Sequence, residues 1–362
     1  MVSAVPPPVP SLAALGWDEA WIEIRHAADP EGRWRPARVT LQGRDAWRVH
    51  DGSGEHTVGV RGRLRADPHG LPVAGDWVLL GGGGPDGGAV VEAVLPRRTT
   101  LARKVAGSRT EEQVVAANVD VVLVCVALHS VNLRRLEREL TLVWESGATP
   151  VVAVTKSDLA PDLGVDLAAA LDDVRAVALG VEVLAVSSYD GDGLDEVRAV
   201  VSAGVTAAVI GPSGAGKSTL VNALVGDDVL ATTAVRADLR GVHTTSARHL
   251  VPVPGAGLLL DTPGMRELAL WADEDAVDAT FADVEALARE CRFPDCAHET
   301  EPGCAVLAAL AEGHLDEDRV ASWRKLQREV AYLARKQDVR LQQEERRRWI
   351  RVTREARHRI RP

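Results

Sequence analysis

Gly211-Pro212-Ser213-Gly214-Ala215-Gly216-Lys217-Ser218 is the stretch on which the fold turns. It has the spacing G-x-x-x-x-G-K-[ST], follows an apolar run at 205–210 that reads as a buried strand, and precedes a helical pattern at 219–225. Strand, glycine-rich turn and helix in that order form the setting of a phosphate-binding loop. The backbone N–H groups of Gly211, Ser213, Gly214, Ala215 and Gly216 are expected to turn inward around the phosphates, with Thr219 opening the helix beside them. Lys217 is expected to reach the β- and γ-phosphates and the Ser218 hydroxyl to ligate Mg²⁺. The chain has five lysines (104, 156, 217, 325 and 336) among 42 basic residues. Where positive charge is otherwise written as arginine, a lysine points to chemistry that needs a compact ammonium.

Downstream, an apolar strand at 258–260 ends in Asp261-Thr262-Pro263-Gly264. D-x-x-G is also a good turn sequence. After a phosphate loop it places a carboxylate, Asp261, to hold Mg²⁺ through water, and a glycine N–H, Gly264, to touch the γ-phosphate. Upstream, Thr155-Lys156-Ser157-Asp158 follows a second apolar strand and includes one of the scarce lysines. A carboxylate at Asp158 can accept both N–H donors of guanine's edge, and the backbone of Ser187-Ser188, after a third strand, can meet the guanine carbonyl. Each of these two segments alone reads equally well as a helix cap. Together with the phosphate loop they specify a GTP site whose base-reading motifs precede its phosphate loop.

The surrounding chain reads as strands alternating with helices. Strands are expected at 119–128, 150–155, 181–186 and 205–210, and helices at 133–145, 167–179 and 194–201. That alternation predicts a parallel sheet covered on both faces. Before it, residues 36–95 carry five short strands (38–41, 46–49, 57–64, 76–80 and 89–95) split by Gly- and Asp-rich turns, which is most economically an OB-like barrel. Trp34, Trp47 and Trp77 are candidates either for base stacking or for core. Arg61, Arg63 and Arg65 alternate along the expected strand 57–64 and just past its end, a pattern that suits phosphate contact. Residues 97–112 read as a charged linker, and residues 1–30 as a Pro-rich start followed by an amphipathic segment around Trp17, Trp21 and Ile24.

Composition excludes the large alternatives. With 46% hydrophobic and 26% charged residues the chain is an ordinary globular protein, not a disordered one. Its longest strongly apolar run, 121–128, is strand-sized and too short to cross a bilayer, and no secretory signal pattern is visible. The reading is cytoplasmic, with no membrane partner. Cys291, Cys296, His298 and Cys304 form C-x₄-C-x-H-x₅-C, a donor set for one tetrahedral, structural Zn²⁺; unliganded thiols are the alternative. Residues 319–362 hold 15 basic and 5 acidic residues, whereas the rest of the chain is strongly acidic. A helix from 319, with Trp323, Leu326, Val330 and Leu333 facing a core, carries this charge on its other face, with Arg346-Arg347-Arg348 beyond it. A solvated face is one explanation; contact with an RNA backbone is favoured because the body is so acidic.

With these residues in view, the sequence resembles the ribosome small-subunit-dependent GTPase A family, the circularly permuted GTPases of subunit assembly. The matching segments are Ala117-Asn118-Val119-Asp120, Asn132-Leu133, Thr155 to Asp158, Gly211 to Ser218, His243-Thr244-Thr245, Asp261 to Gly264 and the cysteine cluster. The resemblance implies an α/β core built as a circularly permuted P-loop GTPase, with an N-terminal OB-like β-barrel and a C-terminal zinc-binding helical domain. The expected divisions are 1–30, barrel 31–105, GTPase 106–272, zinc domain 273–335 and basic tail 336–362. It implies GTP hydrolysis coupled to late maturation of the small ribosomal subunit, stimulated by that subunit, with rRNA, GTP and GDP as partners, one Zn²⁺ per chain, Mg²⁺ with GTP, and a monomer. It further implies a switch segment in which Thr245, or else Thr244, closes on Mg²⁺ and the nucleotide while His243 positions the attacking water. Two positions depart from the general GTPase pattern. Thr155 stands where GTPases generally carry Asn, and Met265 follows Gly264 where Ras-like enzymes place a water-orienting Gln. The rival readings are a nucleotide-gated adaptor that barely hydrolyses and an ATP-driven kinase or transporter component.

Overall fold

The computed structural model describes residues 11–43, 46–66, 70–83, 88–104, 112–226, 249–261, 274–294 and 296–337. The chain divides into two compact units, Met1–Ala269 and Leu270–Pro362.

The first unit opens with helix α1 (Glu19–Ala28), capped by Asp18, whose side chain accepts from the Trp21 N–H. Strands β1 (Arg35–Gln42), β2 (Trp47–His50), β3 (Glu55–Val60), β4 (Trp77–Gly81) and β5 (Val90–Val94) follow, with the short helix α2 (Gly62–Arg65) between β3 and β4. The pairings β1–β2, β2–β3, β3–β5, β5–β4 and β4–β1 close them into a barrel. Its interior is the inward-facing set Val39, Val49, Val58, Val78 and Val91, together with Trp47.

Next come a two-stranded ribbon, β6 (Thr100–Lys104) and β7 (Glu112–Ala117), and then β8 (Val121–Ala127), α3 (Leu133–Glu145) and β9 (Thr149–Thr155). The helices α4 (Ala160–Leu163) and α5 (Leu167–Val177), β10 (Glu182–Val186), α6 (Leu194–Val200), β11 (Thr206–Ile210) and α7 (Lys217–Val225) complete the alternation. Strands β12 (His249–Pro252) and β13 (Leu258–Asp261) end the unit. Strands β10, β9, β8, β11 and β13 run parallel in that spatial order. Both faces of β8 are buried: Val122, Val124 and Val126 pack with α3, while Leu123 and Cys125 pack with α6 and α7. That is why the run reads as continuously apolar rather than alternating.

Strand β12 is antiparallel to β13 on one side and meets barrel strand β1 on the other, Leu41 opposite His249, so barrel and GTPase sheet share one eleven-stranded ladder. A buried polar joint reinforces the junction. Arg38 on β1 donates to the carbonyls of Leu15 (2.9 Å) and Asn118 (2.8 Å) and to the Thr206 hydroxyl (3.2 Å). Burial lowers its guanidinium to about 10, still charged at neutral pH. Asn118, at φ 54°, donates to the Gly75 carbonyl and accepts from the Arg98 N–H, so the segment read as Ala117 to Asp120 is a hinge pin between barrel and sheet.

Four expectations change here. The strand expected at 57–64 stops at Val60, because Arg61 caps a helical turn and its guanidinium pairs with Glu92 (2.7 Å). Arg63 also turns to Glu92, donating to its carbonyl, so two of the three arginines are engaged by one barrel residue while remaining exposed. Trp47 and Trp77 are fully buried core residues, unavailable to stack on bases; Trp34 stays partly exposed beneath Arg33. The charged linker 97–112 contains β6, half of a paired ribbon. Strand β12 was not anticipated.

The second unit is helical: α8 (Glu274–Thr280), α9 (Ala282–Ala288), α10 (Ala305–Ala311) and α11 (Glu317–Gln337), with the cysteine loop between α9 and α10. Trp323, Leu326 and Val330 face its core with Phe281 and Val306. Arg319 bridges to Asp283 at 2.7 Å, and the Trp323 indole donates to Glu285 at 2.8 Å. The Leu333 side chain and residues 338–362, with Arg346-Arg347-Arg348, lie outside what the structure describes.

Candidate functional site

Parallel strands release their loops at one edge, and the first unit gathers its motifs there. Strand β11 ends at Ile210, Gly211 to Gly216 form the loop, and α7 starts at Lys217. Gly211 has φ 135°, and a Cβ there would lie 2.4 Å from the Cys125 carbonyl oxygen of neighbouring β8, so only glycine fits. The Lys217 ammonium folds back on the loop, donating to the carbonyls of Gly211 (2.8 Å) and Pro212 (2.6 Å). Ser213, Gly214, Ser218 and Thr219 are exposed, leaving the loop's outer surface open to a phosphate. Sequence reading missed Glu139 on α3. Its carboxyl is buried, which pushes it above the ordinary range while Arg135 and Lys217 pull it down. An acid inside the apolar stripe of 133–145 was the available signal.

The two segments expected to read the base flank this loop. Strands β9 and β10 are parallel with Thr155 opposite Val186, so 155–158 and 187–188 leave the sheet side by side. The Thr155 hydroxyl is buried and donates to the Ala215 carbonyl at 2.8 Å. It thus ties the base-side strand to the phosphate loop. Lys156 sits at φ 60°, a left-handed conformation uncommon for a side-chain-bearing residue and concentrated at functional turns. Asp158 is half-buried and has no hydrogen-bond partner among the described residues, leaving both carboxylate oxygens for a ligand. The Ser187 N–H donates to the Asp192 carbonyl (2.9 Å), and its hydroxyl accepts from the Asp190 N–H (3.0 Å), which fixes the loop beneath Ser188. Tyr189 beside it is 90% exposed.

Strand β13 runs parallel to β11 with Leu260 opposite Ala208, so the backbone of Asp261 reaches the same edge. The Asp261 side chain and His243, Thr244, Thr245, Gly264 and Met265 lie outside the described residues.

In the second unit Cys291, Cys296, His298 and Cys304 converge, every ligand atom within 4.8 Å of the others. Cys291 Sγ lies 3.5 Å from His298 Nδ1 and 3.8 Å from Cys304 Sγ, and His298 Nδ1 lies 3.4 Å from Cys304 Sγ. A tetrahedral zinc with sulfur ligands at ~2.3 Å has donor–donor edges of roughly 3.7 Å, so the spacing suits that ion. The Ala305 N–H donates to Cys291 Sγ (3.3 Å) and the Leu307 N–H to Cys304 Sγ (3.4 Å). Burial pushes the Cys291 thiol up, but the Ala305 and Val306 N–H groups and the neighbouring thiols outweigh it and leave it low. Burial and the other two sulfurs push Cys296 up to about 11. Three thiolates cannot share this space without a cation, which is what a divalent metal supplies. His298 takes a left-handed φ of 56° to bring its ring in, and Arg324 holds its carbonyl. These four residues can hold a metal ion.

Among the described residues no helix is long and apolar enough to cross a membrane. Comparison with known proteins fits this architecture. The family description RsgA GTPase matches residues 94–271. The chain is 47% identical over 350 residues to the small ribosomal subunit biogenesis GTPase RsgA of Streptomyces avermitilis, covering 94% of this chain and 91% of that protein. The crystal structure of YjeQ from Thermotoga maritima superposes with a TM-score of 0.62 at 23% identity, over 82% of this chain and 99% of that one. That of YloQ, a circularly permuted GTPase, gives 0.58 at 23% identity, over 83% and 96%. The loops at 155–158 and 187–188 ahead of the 211–218 loop on one sheet edge, a closed five-strand barrel, a Cys₃His cluster and identity along nearly the whole chain lead to one assignment: the chain belongs to the RsgA GTPase family and is a GTP hydrolase with the circularly permuted fold.

Proposed function

We propose that this protein hydrolyses GTP on the small ribosomal subunit and couples that hydrolysis to the subunit's late maturation, acting as a cytoplasmic monomer. The relatives' names supply the subunit. The observation that carries the coupling is β12: it lies between segments 241–245 and 261–264 in the chain and hydrogen-bonds to both β13 and barrel strand β1. A change of backbone at either segment reaches the barrel, in this reading, through this strand. In this reading Asp158 accepts guanine's two N–H donors, with Lys156, Ser187 and Ser188 lining the base. The phosphate-loop N–H groups and Lys217 hold the phosphates. Ser218, Thr245 and, through water, Asp261 would hold Mg²⁺, which would supply positive charge against the developing phosphate charge. His243 orients the water, since Met265 cannot, and Gly264 meets the γ-phosphate. Zn²⁺ occupies the four-ligand cluster as a structural ion, and the barrel, the helical unit and the basic tail face rRNA. The domain divisions at 31–105, 106–272, 273–335 and 336–362 follow from this assignment of roles.

GTP hydrolysis measured with and without purified small subunits tests this reading. Positioning and charge-stabilising groups supplied on docking are worth ~10³–10⁵ in rate in other GTPases, so stimulation is expected to be large and to fall with salt. His243→Ala is expected to keep GTP and subunit binding and to lose most of the stimulated rate. Subunit binding without stimulation would make the protein a nucleotide-gated adaptor instead. A His243→Ala variant stimulated as strongly as wild type would move the water-positioning role off this chain's histidine.

A further inference from the structure

A cleft of about 820 Å³ opens on the second unit, built entirely from α9, the cysteine loop and α11. Cys291, Cys296 and His298 also line it, so this volume includes the space of the metal-type cluster, and the arginines stand around that cluster. Arg289, Arg292, Arg324 and Arg328 line it. Several arginines elsewhere pair with acids: Arg61 with Glu92, Arg97 with Asp76, Arg98 with Asp18, Arg319 with Asp283. Among the described residues none of the four cleft arginines has a carboxylate partner. Two acids share the lining. Glu285 is engaged by the Trp323 indole and the Gln327 amide, and Glu299 is exposed. Arg324 is anchored on the His298 carbonyl and Arg328 Nε on the Arg324 carbonyl (3.1 Å), which sets part of the cationic wall.

The cleft also carries an aromatic ring. The chain has two phenylalanines; Phe281 is fully buried, and Phe293 lies on this cleft 39% exposed, with the Arg292 guanidinium 5.4 Å from its centroid. Forked donors beside an exposed ring match the two parts of a nucleotide, its phosphate and its base plane. Duplex RNA offers no free base to such a ring, whereas an unpaired nucleotide does. We infer that the cleft binds an unpaired nucleotide of single-stranded RNA, with Arg289, Arg292 and Arg328 on phosphates and the base stacked at Phe293. The inference rests on the RNA-directed reading above and adds to it a site and the kind of RNA it takes.

Fluorescence anisotropy of the full, metal-loaded chain with a fluorescein-labelled decauridylate at several salt concentrations tests it. Arg289, Arg292, Phe293 and Arg328 are exposed, so their variants leave the core untouched. The combined R289A/R292A/R328A variant is expected to lose at least tenfold in affinity and to flatten the log–log salt slope by about 2, at ~0.7 per phosphate contact. Phe293→Leu is expected to weaken binding about fivefold or more with an unchanged slope, and Phe293→Tyr to restore it. Arg175→Ala, which removes a charge on α5 of the first unit, is expected to change neither. Wild-type binding in both the triple variant and Phe293→Leu would overturn the site and leave RNA contact to the remaining basic residues. Loss of subunit binding with intact oligonucleotide binding would overturn it in favour of a protein partner. Stimulated hydrolysis by the wild type is read separately: its absence sinks the ribosomal function, while the oligonucleotide result still decides the cleft.

Discussion

The two units of this molecule hold their functional groups in place by different means. In the first, eleven strands in one ladder bury two large apolar clusters on the GTPase sheet and a third inside the barrel. Its polar positioning is done by side chains: Arg38 across the barrel junction, Asn118 at the hinge pin, Thr155 under the phosphate loop. In the second, α8, α9 and α10 are each seven residues long, well below the ~12–15 at which an isolated helix becomes even marginal. Its core is a handful of residues around Phe281, Trp323 and Leu326. Four metal-type ligands stand where more core would otherwise be needed. A large core can leave precision to single hydrogen bonds; a small one needs a stronger fixed point.

The largest expected effect tests this contrast directly. Zinc-finger peptides draw ~10–16 kcal/mol from metal binding, far more than any one side chain in the first unit contributes. Freshly purified protein is expected to carry about one zinc per chain. Cys296→Ser is expected to release it and to loosen the second unit, read as loss of amide-exchange protection at 274–337. GTP binding, which resides on another core, should survive. Absence of stoichiometric zinc would break the comparison from one side, and loss of GTP affinity in Cys296→Ser would break it from the other.

A second prediction concerns specificity within the first unit. With both oxygens of Asp158 unengaged, the two charge-assisted hydrogen bonds it would make to guanine would be worth ~1.5–3 kcal/mol each. Asp158→Asn should therefore weaken GTP by roughly a hundredfold or more while improving xanthosine triphosphate, whose edge offers a carbonyl in place of a donor. Zinc content should not move. Unchanged GTP affinity, measured by fluorescent-nucleotide titration, would remove Asp158 from the site.

What the sequence revealed and what it hid divide along physical lines. Motifs whose chemistry sits in consecutive residues were legible: the phosphate loop, the helix at 133–145, the cysteine spacing. Features that depend on a distant partner were not. Strand β12 is four residues ending in proline, and its neighbour β1 lies some two hundred residues earlier. Arg61, Arg63 and Arg65 keep a period of two whether they line a strand or, as here, begin a helical turn; Glu92, thirty-one residues from Arg61, decides it. Trp47 and Trp77 carry no mark in sequence that separates a stacking surface from a core. At Thr155 the motif showed which amide was missing but not which atom the hydroxyl would reach.

That last residue gives the smallest and most discriminating test. The Thr155 hydroxyl donates to the carbonyl of Ala215, itself buried, and a Cβ at Gly216 would lie 3.3 Å from the same oxygen. Loop and threonine are thus in contact along two consecutive residues. Thr155→Val keeps the shape and removes the donor, leaving a buried carbonyl with one partner fewer, a loss of ~0.5–1.5 kcal/mol. If the bond holds the phosphate loop ready, part of that energy appears as affinity. GTP and GDP should both weaken by about two- to tenfold, with no change in the preference for GTP over xanthosine triphosphate, and Thr155→Ser should restore binding. A shift in base preference would mean that Thr155 touches guanine, as the asparagine at this position generally does. Unaltered affinity for both nucleotides would mean that the loop is held by its glycines and Lys217 alone, and that the first unit relies less on single hydrogen bonds than its contrast with the second unit implies.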